Sequence, residues 1–153
     1  MLAPHDAALD EIKFVPGAQR YEPGALNYAG LIGMKAAIDL LLELGPEAIA
    51  ARLQKLKRIA VEHLQRMGFE ILPPVEGANA SSITTFSHPS ADCEELLGAL
   101  AANDVVVSLR YDRAGKSYLR ISPHFYNTFE EVERTMAVLE RALRDSAAPH
   151  SLA

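Results

Sequence analysis

Leu31, Met34, Ile38, Leu41 and Leu42 recur at three- and four-residue spacing from Ala29 onward, which predicts a helix with one apolar face. Gly45-Pro46 stops that run and restarts it, because proline suits a first helical position, where its missing N–H costs nothing. Ile49, Leu53, Leu56, Ala60, Leu64 and Met67 stripe a second helix, with Arg52, Lys55, Lys57, Arg58 and Glu62 off the stripe and Gly68 just past its end. The period then falls to two. Residues 69–72 read as a short strand halted by Pro73-Pro74, 75–80 as loop, and 82–87 as a strand alternating Ile83 and Thr85 with Thr84 and Phe86. Asp92 and Glu95 match a capping box before a helix through Leu96, Leu97 and Leu100. Residues 105–109 and 117–122 are two further strands joined by a hairpin loop over 111–116. Thr128 and Glu131 form a second box, opening a helix with Val132, Met136, Leu139 and Leu143 on one side. The order predicts an α+β fold: a small, mostly antiparallel sheet of about four strands packed against helices.

Pro4, Pro16, Gly17, Pro23 and Gly24 punctuate residues 1–28 too densely for a long element, and Phe14, Val15 and Tyr21 are isolated apolar positions. We therefore expect an irregular lead-in over 1–28, an α+β domain over 29–145 and a frayed tail over 146–153. Such a lead-in is expected to have led out of something larger. Apolar residues at 49% and charged residues at 23% fit a globular domain and not a disordered one. With 15 basic against 20 acidic residues the chain lacks the charge balance of a nucleic-acid binder. One cysteine excludes a disulfide framework and a cysteine-based zinc site. No apolar run reaches the ~20 residues of a membrane span, and the first residues lack a signal-peptide pattern. A cytoplasmic protein with neither nucleic-acid nor membrane partners is expected.

Few residues offer self-contained chemistry. Gly30-Leu31-Ile32-Gly33 lies in a helical stretch and matches no phosphate-binding fingerprint. His5, His63, His88, His124 and His150 form no pair at metal-ligand spacing and read as exposed or structurally bonded. Cys93 falls in a first helical turn, where a thiol pKa can be lowered, but reads as a small half-buried side chain. Lys55, Lys57 and Arg58 read as a solvated helix face. Arg120 is different: it lies between Leu119 and Ile121, so if these face the core it projects from the opposite side of the sheet. Its forked donors there suit an anion, which is either one of the 20 acidic residues or a bound carboxylate.

Residues 20–45, 82–86 and 120–135 resemble the C-terminal part of class V aminotransferase-like enzymes. These are fold-type I proteins dependent on pyridoxal phosphate (PLP), a group that includes cysteine desulfurases, selenocysteine lyases, kynureninases and isopenicillin N epimerase-like proteins. The resemblance runs over about residues 12–145 and is carried by Arg-x-Glu-x-Gly from Arg20 and Arg-x-Ser-x-x-x-Tyr-Asn-Thr from Arg120. It implies that Arg120 binds the α-carboxylate of an amino-acid substrate. It also implies a homodimer in which Gly24 and Ala25 reach the cofactor phosphate of the partner subunit. Ala25 stands where many members have threonine, so a hydroxyl contact is lost while backbone N–H groups remain. Arg20 and Glu22 would hold that loop in shape.

The family's Schiff-base lysine and the aspartate facing the pyridinium nitrogen belong to a large domain upstream of everything in this chain. Lys13, Lys35, Lys55, Lys57 and Lys116 sit in no matching context. The resemblance thus implies a small C-terminal domain of a PLP enzyme, a detached piece or truncated product that is inert alone, with PLP bound only in the full-length enzyme. Desulfurases carry a cysteine between the last two strands, whereas residues 110–117 contain none and Cys93 is in another element, so persulfide chemistry is not expected. The alternatives are a stand-alone α+β binding module, or part of a desulfurase-, selenocysteine lyase- or kynureninase-like enzyme.

Overall fold

The computed structural model describes residues 16–21, 24–77 and 79–147. A 3-10 turn at Ala18–Tyr21 interrupts the segment expected to be irregular. Asn27 then starts helix α1 (Tyr28–Leu44), its side-chain oxygen accepting from Gly30 N at 2.9 Å. A Cβ on Gly30 would lie 2.6 Å from Asn27 Nδ2, so Gly30 serves this cap. The predicted apolar face of α1 is present, but none of the helix is buried: Leu31, Met34, Ile38 and Leu41 are exposed, as are Ile32, Leu40 and Leu44 on its other sides.

The chain divides into two compact units, Met1–Glu43 and Leu44–Ala153. The second opens with α2 (Pro46–Arg66), with Pro46 in the first turn as expected. It ends in a Schellman motif. Phe69 N donates to Leu64 O and Gly68 N to Gln65 O, with Gly68 at φ +83°, a conformation glycine adopts without a Cβ clash. Next come β1 (Glu70–Ile71), β2 (Thr84–Ser87), α3 (Cys93–Ala101), β3 (Ser108–Tyr111), β4 (Ser117–Ile121) and α4 (Phe129–Ala147). The sheet order is β1-β2-β4-β3, every pair antiparallel. One sheet face carries the core. Leu56, Ala60 and Leu64 of α2, Leu96 and Leu100 of α3, and Val132, Met136 and Leu139 of α4 pack with Phe69, Phe86 and Leu119, and the Phe69 ring meets the Phe86 ring edge-on at 5.2 Å.

Several boundaries differ from the sequence reading, each for a local reason. β3 begins at Ser108 and not at 105; Val105 N instead donates to Leu100 O at 3.0 Å, at the end of α3. Val106 is left 97% exposed. β2 begins at Thr84, since Ile83 N is already bonded to Ser81 Oγ at 3.2 Å. Tyr111 belongs to β3 and not to the hairpin loop, and α4 runs to Ala147, into the expected tail. Lys57 is not on a solvated face: it is buried, with Nζ donating to Pro74 O at 3.2 Å and Ser81 O at 2.9 Å. Burial lowers its pKa below the usual lysine value.

Candidate carboxylate site on the open sheet face

Alternation sorts the strands into two faces. Thr84, Phe86, Leu119, Leu109 and Ile121 turn toward the helices. The other face carries Glu70, Thr85, Ser108, Arg110, Tyr118 and Arg120. Arg120 is central on it, directly opposite Thr85 on β2 and Ser108 on β3. Its Nε atom is buried and has no hydrogen-bond partner among the described residues. Several carboxylates have partners of their own. Glu70 holds Lys116 at 3.1 Å, Glu133 meets His63 at 3.1 Å, and Glu140 holds Arg144 at 3.0 Å. Glu94 accepts from Tyr111 Oη at 2.7 Å. Among the described residues Arg120 has no acidic partner.

The chain beyond Arg120 is tied down by bonds the sequence shows only in part. Glu131 N donates to Thr128 Oγ1 at 3.2 Å and Thr128 N to Glu131 Oε2 at 2.8 Å, so the second capping box closes in both directions. Asn127 adds to it, donating to Glu131 Oε2 at 3.0 Å and accepting from His124 N at 2.7 Å. The Asn127 side chain, followed by the Thr128 N–H, holds the Glu131 carboxyl below its usual pKa. Arg52, which the sequence reading leaves as an off-stripe residue of α2, reaches across to this turn. Nε donates to Phe125 O at 2.6 Å and Nη2 to Asn127 O at 2.8 Å, with the guanidinium over the Phe129 ring at 5.1 Å. Backbone carbonyls have no residue signature, which is why Arg52 escapes a sequence search. By contrast the Asp92–Glu95 box does not form among the described residues: Asp92 caps α3 by accepting from Glu94 N at 2.7 Å, and no capping bond to or from Glu95 accompanies it.

The other candidates separate cleanly. Cys93 is fully buried rather than half-buried, its Sγ 3.5 Å from Ser117 O. The connection between β3 and β4 is a tight turn in which Asp112 Oδ1 accepts from Ala114 N at 2.8 Å and Lys116 N at 2.9 Å, lowering the Asp112 pKa. Lys35 is paired with Asp39, and Lys57 and Lys116 with the groups named above. His88 lies 3.2 Å from Met67 O, and the His124 ring meets those of Phe125 and Tyr126 at tilted angles, with centroids 4.3 and 4.5 Å away. No three His, Cys, Asp or Glu side chains among the described residues could hold a metal ion. Gly24 and Ala25 are exposed, and their N–H groups make no hydrogen bond among the described residues. Arg20 Nε donates to Gly17 O at 3.0 Å, a bond within its own turn. Glu22, Lys13, His5 and His150 lie outside the described residues. No described helix is long and apolar enough to cross a membrane.

The family model for aminotransferase class-V matches residues 4–135. The chain belongs to the class V aminotransferase family. A cysteine desulfurase of Serratia proteamaculans is 33% identical over 128 residues, 80% of this chain and 32% of that protein. A probable cysteine desulfurase of Xylella fastidiosa is 28% identical over 144 residues, 88% of this chain and 34% of that protein. The chain thus spans about one third of the length of the curated relatives it matches. The apo cysteine desulfurase of Thermococcus onnurineus shares the fold with TM-score 0.78 at 23% identity, over 92% of this chain and 37% of that one. The cysteine desulfurase CsdA of Escherichia coli does so with TM-score 0.75 at 22% identity, over 92% and 36%. The α+β fold with a four-stranded antiparallel sheet is therefore that of this family.

Proposed function

We propose that this class V chain is the substrate-carboxylate-binding small domain of a PLP-dependent enzyme acting on an amino acid, completed by a large domain that carries the cofactor and its lysine. Arg120 carries the reading. A buried guanidinium nitrogen without a partner among the described residues, central on the polar sheet face, suits an anion, and a carboxylate matches it with fork geometry. Holding the substrate by that group orients its Cα, a positioning contribution and not proton transfer. The unburied apolar helix α1 and the greater length of the relatives, of which the match covers about one third, support a large partner domain. The N–H groups of Gly24 and Ala25, which make no hydrogen bond among the described residues, support contact with the cofactor phosphate of a partner subunit in a homodimer. When bound, PLP supplies the electron sink for breaking a bond at Cα. In this reading 29–145 forms the small domain, 1–28 its lead-in and 146–153 its tail, in a cytoplasmic enzyme.

A second reading is favoured by the relatives' names: sulfur removal from cysteine. That chemistry needs an accessible thiol, and the buried Cys93 together with the cysteine-free β3–β4 turn opposes it. Thiol titration of the native chain is expected to be slow, and a rapid stoichiometric reaction of Cys93 would restore the desulfurase reading.

The main proposal is tested in two steps. Incubation of the 153-residue chain with PLP and borohydride is expected to give no site-specific lysine adduct. In the enzyme completed by its large domain, Arg120→Lys is expected to raise KM for the amino acid about tenfold or more, with cofactor affinity unchanged, because lysine keeps the charge and loses the fork. An unaltered KM would return Arg120 to a structural role.

A further inference from the structure

Arg120 is not the lone cation on the open face. In the β3–β4 register Ser108 opposes Arg120 and Arg110 opposes Tyr118, so Arg110 is the diagonal neighbour of Arg120 on the same side of the sheet. Diagonal positions on paired strands lie ~7–8 Å apart at Cα, within reach of two long side chains. Arg110 is exposed, and the bond it makes among the described residues is a local one, Nη1 to Leu109 O at 3.1 Å. The remaining charges on this face are already matched. Lys116 is paired with Glu70 and lies over the Tyr118 ring, and Asp112 is held by the turn N–H groups and by Tyr118 Oη at 3.3 Å. Among the described residues two guanidinium groups are left without an acid, one partly buried and one exposed.

We infer that the substrate carries a second carboxylate: Arg120 takes the α-carboxylate of an amino dicarboxylic acid and Arg110 takes the carboxylate of its side chain. The inference rests on the proposal that Arg120 is a carboxylate site. The burial pattern supports the division of labour. The buried Nε of Arg120 gives a fixed, desolvated contact for the group every amino acid has. The exposed Arg110, on a free stem at the sheet's outer strand, adjusts to the side chain's length. Thr85 and Ser108, flanking Arg120 in the same row, place hydroxyl groups beside the first carboxylate.

The test uses the isotopically labelled 153-residue chain, with arginine side-chain N–H resonances followed during titration with acetate and with succinate at constant ionic strength. The expected result is that both ligands shift Arg120, that succinate also shifts Arg110, and that succinate binds about tenfold tighter than acetate. Arg110→Gln is expected to bring that affinity ratio close to one. A ratio near one in the native chain, or a ratio unmoved by Arg110→Gln, overturns the inference while leaving the Arg120 site in place. Acetate that leaves Arg120 unshifted, or that binds Arg120→Gln as well as the native chain, overturns the carboxylate site itself and the inference with it.

Discussion

Arg52 and Lys57 lie five residues apart on α2 and do related work, each donating to two backbone carbonyls of a distant loop. Hydrogen bonds from a charged donor contribute about 1.5–3 kcal/mol where they are partly buried. Arg52→Ala is accordingly expected to lower the unfolding free energy by about that much, read from the urea midpoint, and to speed amide exchange between Ser122 and Thr128. Arg52→Lys should recover part of the stability and little of the exchange protection, since one ammonium cannot reproduce the fork. Lys57 makes a prediction in pH. Its folded pKa lies below the unfolded value of 10.5, so near that value the unfolded chain binds more protons and stability rises as pH rises toward 10.5. Urea titrations at stepped pH should show this rise in the native chain and its loss in Lys57→Met; parallel curves would remove the buried-charge account.

At the scale of elements, the two helix N-termini that looked alike as Asp92/Glu95 and Thr128/Glu131 behave differently. The box before α4 is closed from both sides and reinforced by Asn127, whereas the start of α3 rests on Asp92. Thr128→Ala is expected to cost about 1 kcal/mol. Glu131 adds a pH signature: its folded pKa is depressed, so its contribution is present above its unfolded value near 4.5 and fades as pH falls through the folded pKa. Thermal melts should therefore separate native chain from Glu131→Gln at neutral pH and bring them together in acid. The helices were legible because caps and 3.6-residue stripes are local properties. The strand limits were less so: before β3 the Val105 N–H is spent on Leu100 O at the end of α3, and where β2 starts depends on a serine bond that competes with the ladder. The hydrophobic stripe of α2 was visible, yet the same pattern hid Lys57, whose stem follows the core while its ammonium finds carbonyls no motif announces.

For the whole molecule, alternation around Leu119 was enough to put Arg120 on the open face, but whether it was spent on an internal acid depended on where each carboxylate goes, which folding alone decides. The same holds for α1. Its apolar stripe reads like that of α2, yet the clustered core, from Leu56 to Val138 and Leu139, lies entirely in the unit that begins at Leu44. If that core is self-sufficient, a chain starting at Leu44 loses nothing that stabilises it. Its urea midpoint and slope should match those of the full chain within about 0.5 kcal/mol, the range of substitutions that touch no core contact. The apolar surface of α1 predicts a second difference, in association and not in stability. Contiguous exposed apolar area drives protein–protein contact, so in sedimentation experiments the full chain should self-associate with rising concentration and the chain from Leu44 should not. Replacing Ile38 and Leu41 by glutamate in the full chain should give the same result without removing a residue. A fall in the midpoint on either change would mean that α1 is part of the stabilising core, and equal sedimentation of all three would mean that its exposed face is no docking surface.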